Sequence, residues 1–125
     1  MKIETAGLAS KKSGSKFAVI VRAGDDKREY VHDVSGDHTL NQIELLAVQF
    51  AILGAKPTIS MGTIGISTPS AYVADMLERD EDENWIKTPK SNVELVEEIR
   101  SLLSESDIRI VYEKNEEART LCRSK

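Results

Sequence analysis

The rhythm of apolar and polar positions changes along the chain in a way that orders its elements. Ile3 to Ala6 is a short strand-like run, and Ser10-Lys11-Lys12-Ser13-Gly14-Ser15 is a turn by composition. Lys16 to Arg22 is β-branched and apolar on both faces through Phe17, Ala18, Val19, Ile20 and Val21, the pattern of a buried strand. Ala23-Gly24-Asp25-Asp26 forms the next turn, and Arg28 to Val34 alternates as a third strand. Consecutive strands joined by tight turns predict an antiparallel meander.

The period then lengthens. Thr39 followed by Gln42 is a capping-box signature for a helix start, and Ile43, Leu46, Ala47 and Phe50 follow at helical spacing. Gly54 stands where a C-terminal cap belongs. Thr58 to Ser67 reads as a fourth strand with Ile64 and Ile66 buried. Thr68 and Pro69 suit the cap and first turn of a short helix through Tyr72, Val73, Met76 and Leu77. Ser91 with Glu94 repeats the capping box before Leu95, Ile99, Leu102 and Leu103, and Asp107 to Tyr112 is a last strand. Asn115 is placed to cap a terminal helix whose first turn carries Glu116 and Glu117, favourable at the positive end of the helix dipole. The order βββαβααβα predicts one α/β domain over residues 1–125, a five-stranded mixed sheet flanked by helices.

Composition narrows the chemistry. The chain has 125 residues, long enough for a real core. Its single cysteine, Cys122, excludes an internal disulfide and a cysteine-based zinc cluster. No apolar run approaches the ~20 residues of a membrane helix, and the start lacks a secretory signal, so an intracellular, cytoplasmic setting with no membrane partner is expected. Net charge is −4, which argues against coating nucleic acid by charge alone. Basic residues nevertheless gather early, at Lys11, Lys12, Lys16, Arg22, Lys27 and Arg28, whereas Glu78 to Glu83 is densely acidic. That acidic run lacks the glycine and ligand spacing of a calcium loop and reads as a solvated loop.

Several segments resemble one family. Thr39-Leu40-Asn41-Gln42-Ile43-Glu44-Leu45-Leu46-Ala47 resembles the ribonuclease H segment T-N-N-x-x-E-L-x-A. Ser67-Thr68-Pro69-Ser70-Ala71-Tyr72-Val73 is similar to its T-D-S-x-Y-V, and Trp85-Ile86-Lys87-Thr88 with Lys90-Ser91-Asn92-Val93-Glu94-Leu95 to its W-K-T and K-N-x-D-L-W. Asn115-Glu116-Glu117-Ala118-Arg119 resembles its terminal N-E-x-A-D. The segments lie in family order across nearly the whole chain, which implies a ribonuclease H-like fold of the bacterial type.

The resemblance also implies what is missing. The family cleaves RNA in RNA–DNA hybrids with two Mg²⁺ held by four carboxylates, whose negative charge offsets the repulsion between the cations. Those positions fall on Ala6, Glu44, Pro69 and Arg119. Glu44 is the only carboxylate retained, and Arg119 is placed to pair with it and cancel it. No metal site and no cofactor are therefore expected, Mg²⁺ entering only if a residual site exists. Glu4 shares a strand face with Ala6 at about 7 Å, so a displaced site with Glu44 is one alternative beside a plain surface role.

Asn41, Ser70 and Asn92 match family positions that touch the hybrid, and Lys11, Lys12 and Lys16 are candidates for phosphate contact. Asn41, Ser70 and Asn92 each also have an ordinary backbone role at a helix start. Trp85 either stacks on a sugar or covers the short helix, His32 reads as structural, and Cys122 as a small buried hydrophobe. Three functions stay open. The first is a degenerate domain that binds RNA–DNA hybrid or structured RNA without cleaving it. The second is a protein-interaction scaffold or homo-oligomer that keeps only the fold. The third is an active metal-dependent nuclease rebuilt around Glu44.

Overall fold

The computed structural model describes residues 1–12, 14–55, 64–104 and 106–124. Its elements follow the predicted order: β1 (Lys2–Leu8), β2 (Ser15–Ala23), β3 (Asp26–Val34), α1 (Leu40–Ala55), β4 (Ile64–Thr68), α2 (Ala71–Met76), α3 (Val93–Ser104), β5 (Ile108–Tyr112) and α4 (Glu116–Ser124). The five strands form one sheet in the order β3-β2-β1-β4-β5. β1, β2 and β3 are antiparallel neighbours, while β4 runs parallel to both β1 and β5. Residues 58–63 of the predicted fourth strand lie outside the described residues.

The sheet separates two apolar layers. On one face Ile3, Phe17, Val19, Ile64, Ile66 and Ile108 pack against α1, α2 and α3 through residues such as Ile43, Val48, Ile52, Val73, Val96, Ile99 and Leu103. On the other, Ala6, Ala18 and Ile20 meet Ala118, Leu121 and Cys122 of α4. Alternation along β1 sends Ile3, Thr5 and Gly7 toward the first layer and Glu4, Ala6 and Leu8 toward α4. The small side chains of Ala6, Ala18 and Ala118 let the last helix sit close to the strands. β2, apolar on both faces as predicted, is buried from Ser15 to Ile20.

The capping box at Thr39 forms in both directions. The Gln42 N–H donates to Thr39 Oγ1 at 3.2 Å, and the Thr39 N–H to Gln42 Oε1 at 3.1 Å. Other predicted ends differ for tertiary reasons. Ser70, not Thr68, caps α2 by accepting from the Val73 N–H. Thr68 is instead the last rung of β4, opposite Tyr112. Ser91 does not cap α3: Asn92 precedes that helix at φ 54°, and Ser91 contacts the Tyr72 hydroxyl. Gly54 lies inside α1 rather than after it. Leu46 is only partly buried, with Leu45 and Val48 taking the inner positions.

Asn115 also departs from its expected capping role. It is buried in a left-handed conformation, φ 50°, which asparagine tolerates better than most residues. Its Nδ2 donates to the Thr5 carbonyl at 2.9 Å, and its Oδ1 accepts from Ser67 Oγ at 2.9 Å. One side chain thus ties the start of α4 to the two central strands.

The acidic loop is exposed to solvent, as expected, and is also braced. Asp80 accepts from the Asp82 and Asn84 N–H groups, and Glu83 bridges Arg79 and Arg109. Trp85 lies between the guanidinium groups of Arg79 and Arg100, at 5.2 and 4.9 Å, so it has the covering role. His32 stacks on Phe17 with ring centroids 5.5 Å apart, a packing role. Among the described residues no helix is long and apolar enough to cross a membrane.

Candidate nucleic-acid interface

The carboxyl end of β1 is where the marked positions converge. Glu4 pairs with Ser67 in the parallel register, and Pro69 follows directly after the end of β4. Ala6 is fully buried beneath α4. Its neighbour Gly7 faces α1, where Glu44 sits at 3% exposure. A Cβ at Gly7 would lie 2.6 Å from Glu44 Oε1 and 2.9 Å from Ile43 Cγ2, so glycine permits this close approach.

Glu44 is the site's only buried carboxyl, and its Oε1 has no hydrogen-bond partner among the described residues. Burial pushes its pKa up to about 7, against the opposing pull of the Gly7 N–H and the Arg119 charge. Arg119 does not form the direct ion pair expected from the sequence. It is exposed on α4 and acts on Glu44 only through space. Glu4 is no rescue either: Arg22 Nε donates to its Oε2 at 3.2 Å, and Arg22 also binds Glu117. One buried carboxyl with its pKa raised to about 7, and alanine, proline and arginine at the other three marked positions, do not fit a pair of Mg²⁺ ions. Among the described residues no three His, Cys, Asp or Glu side chains converge to hold any metal.

Beside this corner lie three neighbouring depressions. The first, about 180 Å³, is walled by Gly7, Leu8, Ala9, Leu40, Arg119, Cys122 and Arg123. Ala9 also lines the second, about 420 Å³, which holds Lys11, His38 and Gln42 at the start of α1. Gln42 continues into the third, where Asn92 and Glu94 open α3. The strip therefore links α4, the β1–β2 turn and the starts of α1 and α3.

The predicted binding residues distribute unevenly along it. Lys11 lines the strip, and Lys12 and Asn41 are exposed beside it in the same turn and first helical turn. Asn92 lines its far end, with Nδ2 3.5 Å from the Tyr72 hydroxyl. Ser70 is engaged as the α2 cap. Lys16 departs from expectation: it is 8% exposed on β2, opposite Leu8, on the face that α4 covers. Its carbonyl accepts from the Cys122 thiol, whose pKa burial raises, so Lys16 is built into the packing beneath α4 and does not extend a lysine row. Arg123 escaped the sequence reading. Its spacing of four from Arg119 was the available signal.

The architecture is that of a ribonuclease H-like fold. Among solved structures, a ribonuclease H1 isolated from compost by a metagenomic approach superposes with a TM-score of 0.77 at 17% identity, over 98% of this chain and 92% of that one. The same enzyme crystallised with an RNA/DNA hybrid gives 0.74 at 18% identity, over 98% and 94%. Ribonuclease H1 from Halobacterium salinarum gives 0.71 at 20% identity, over 96% and 92%. No protein-family profile matches the sequence, and no curated protein is significantly similar to it.

Proposed function

We propose that this chain binds an RNA–DNA hybrid, or structured RNA, along the strip and does not cleave it. The observation that carries the reading is the succession of three neighbouring depressions, the first two sharing Ala9 and the last two Gln42, whose linings include Arg119, Lys11 and Asn92 in turn. A neighbouring fold holds a hybrid in its crystal. The loss of cleavage is supported by the unfit donor set of Ala6, Glu44, Pro69 and Arg119. Binding then needs no Mg²⁺ or other cofactor, and the single thiol suits a reducing, intracellular compartment.

The test is a fluorescence-anisotropy titration of a labelled hybrid in Mg²⁺ at two salt concentrations. Salt-sensitive binding with a signal stable over time is expected. A signal that decays would restore the nuclease rebuilt around Glu44. A second reading, a scaffold or self-associating domain, is favoured by Val111 and Tyr112, which are 45% and 55% exposed on the outer strand β5. Absence of hybrid binding at low salt, with self-association in sedimentation, would select it.

A further inference from the structure

Arg119 and Arg123 are one turn apart on α4, so their side chains leave the same helix face. Both line the cleft of about 180 Å³ at the end of β1, together with the apolar walls of Leu8, Leu40 and Cys122. Among the described residues neither has an ion pair or a side-chain hydrogen bond. Arg22, Arg79, Arg100 and Arg109 are by contrast held by carboxylates or carbonyls. Arg28 is also unpaired, but it stands on the exposed strand β3 and lines no depression described here.

We propose that this cleft is a phosphodiester site, in which Arg119 and Arg123 grip one backbone phosphate of a nucleic acid directly, without a metal ion. The planar guanidinium fork matches a phosphate's oxygens in bidentate fashion, and two forks facing one cleft supply the charge that a divalent cation would otherwise bring. Gly7 and Ala9 complete the lining of the cleft. Glu44, unpaired at Oε1 and packed against Gly7, is the one opposing group in contact with that wall. The choice of nucleic acid as the source of the phosphate rests on the function proposed above; the arginine pair and the cleft do not.

The experiment uses a dinucleoside monophosphate, which carries a single phosphodiester, titrated into isotope-labelled protein in EDTA. Saturable shifts are expected at the Nε–H signals of Arg119 and Arg123 and the methyl signals of Leu8 and Leu40. The Leu8 and Leu40 methyl shifts vanish in the double variant Arg119→Gln, Arg123→Gln, and all the shifts persist in Arg28→Gln. Shifts that fail to saturate, that need Mg²⁺, or that survive the double variant overturn the site. With a labelled hybrid in EDTA, the double variant should bind at least fivefold more weakly. Its log–log salt slope should shrink by about 1 to 2. If the dinucleotide saturates the arginines but no hybrid binds, the site stands and the hybrid reading falls. If hybrid binding is unchanged in the double variant, the site falls and the hybrid reading stands.

Discussion

Two corners of the molecule use arginine in opposite ways. Behind the acidic loop, Arg79 is nearly enclosed: its guanidinium donates to the Leu103 and Ile108 carbonyls at 3.4 and 3.0 Å and pairs with Glu83 at 3.1 Å. Arg100 donates from Nε and Nη2 to the Met76 carbonyl at 2.9 and 2.8 Å, and from Nη2 to the Lys87 carbonyl at 2.7 Å. Met76 ends α2 and Leu103 lies in the last turn of α3, so both arginines satisfy carbonyls that a helix end leaves open. Desolvation lowers the Arg100 pKa. At the end of β1, Arg119 and Arg123 have no such partners among the described residues. The same guanidinium chemistry is consumed internally at one corner and presented outward at the other. Only the second is available to a ligand.

The sharpest way to break that contrast is to truncate one arginine from each corner. Arg79→Ala takes the Arg79 donor from the Ile108 carbonyl, breaks the Glu83 pair and removes a face of the Trp85 stack, while the Leu103 carbonyl keeps its Ser106 donors. A loss of about 3 kcal/mol is expected in urea denaturation. Arg119→Ala should stay within about 0.5 kcal/mol of the parent. Equal losses at both positions would mean that the cleft arginine is also structural.

Glu44 sharpens the comparison through pH. Its folded pKa of about 7 stands above the ordinary value of 4.5, so the folded state holds a proton that the unfolded state has released between those limits. Its contribution is complete below pH 4.5 and is lost as pH rises through 7, by about 3 kcal/mol at most. Glu44→Gln should flatten that slope and make the protein more stable than the parent at pH 8. A parent stability curve with no fall over this interval would place the carboxyl in water.

A smaller effect tests how tightly this corner is built. Gly7→Ala puts a methyl group 2.6 Å from Glu44 Oε1 and 2.9 Å from Ile43. About 1 to 2 kcal/mol of destabilisation is expected from overpacking. Combining it with Glu44→Ala should recover part of the loss, and strict additivity would show that the two residues do not touch.

Much of the fold was legible because periodicity reports which face of an element is buried. The element order, the β1–β2–β3 meander and the Thr39–Gln42 capping box all appear as local pattern predicts. Polar roles were harder to read. Ser91 and Asn115 each have a side chain suited to a cap, yet each is drawn into a contact with a distant segment, Tyr72 on another helix and Thr5 with Ser67 in the core, whereas Thr68 Oγ1 accepts locally from the Ser70 N–H while its backbone ends β4. Local sequence cannot rank a cap against a partner that only the fold supplies. The same limit hid the packing of Lys16 under α4 and separated Arg119 from Glu44. Motif position located the corner, whereas the arginine pair became visible only once the cleft had a shape.

The tether made by Asn115 has a consequence for synthesis. The Thr5 carbonyl it satisfies was made 110 residues earlier. At ribosomal rates of about 5 to 20 residues per second, that carbonyl waits roughly 5 to 20 s for its partner. The early meander emerges with its turns and pairings within reach, and β1 and β4 can pair through their own ladder and the Thr5–Ser67 bond before the Asn115 tether is added. Until Asn115 emerges, the Thr5 carbonyl therefore stands without that amide donor.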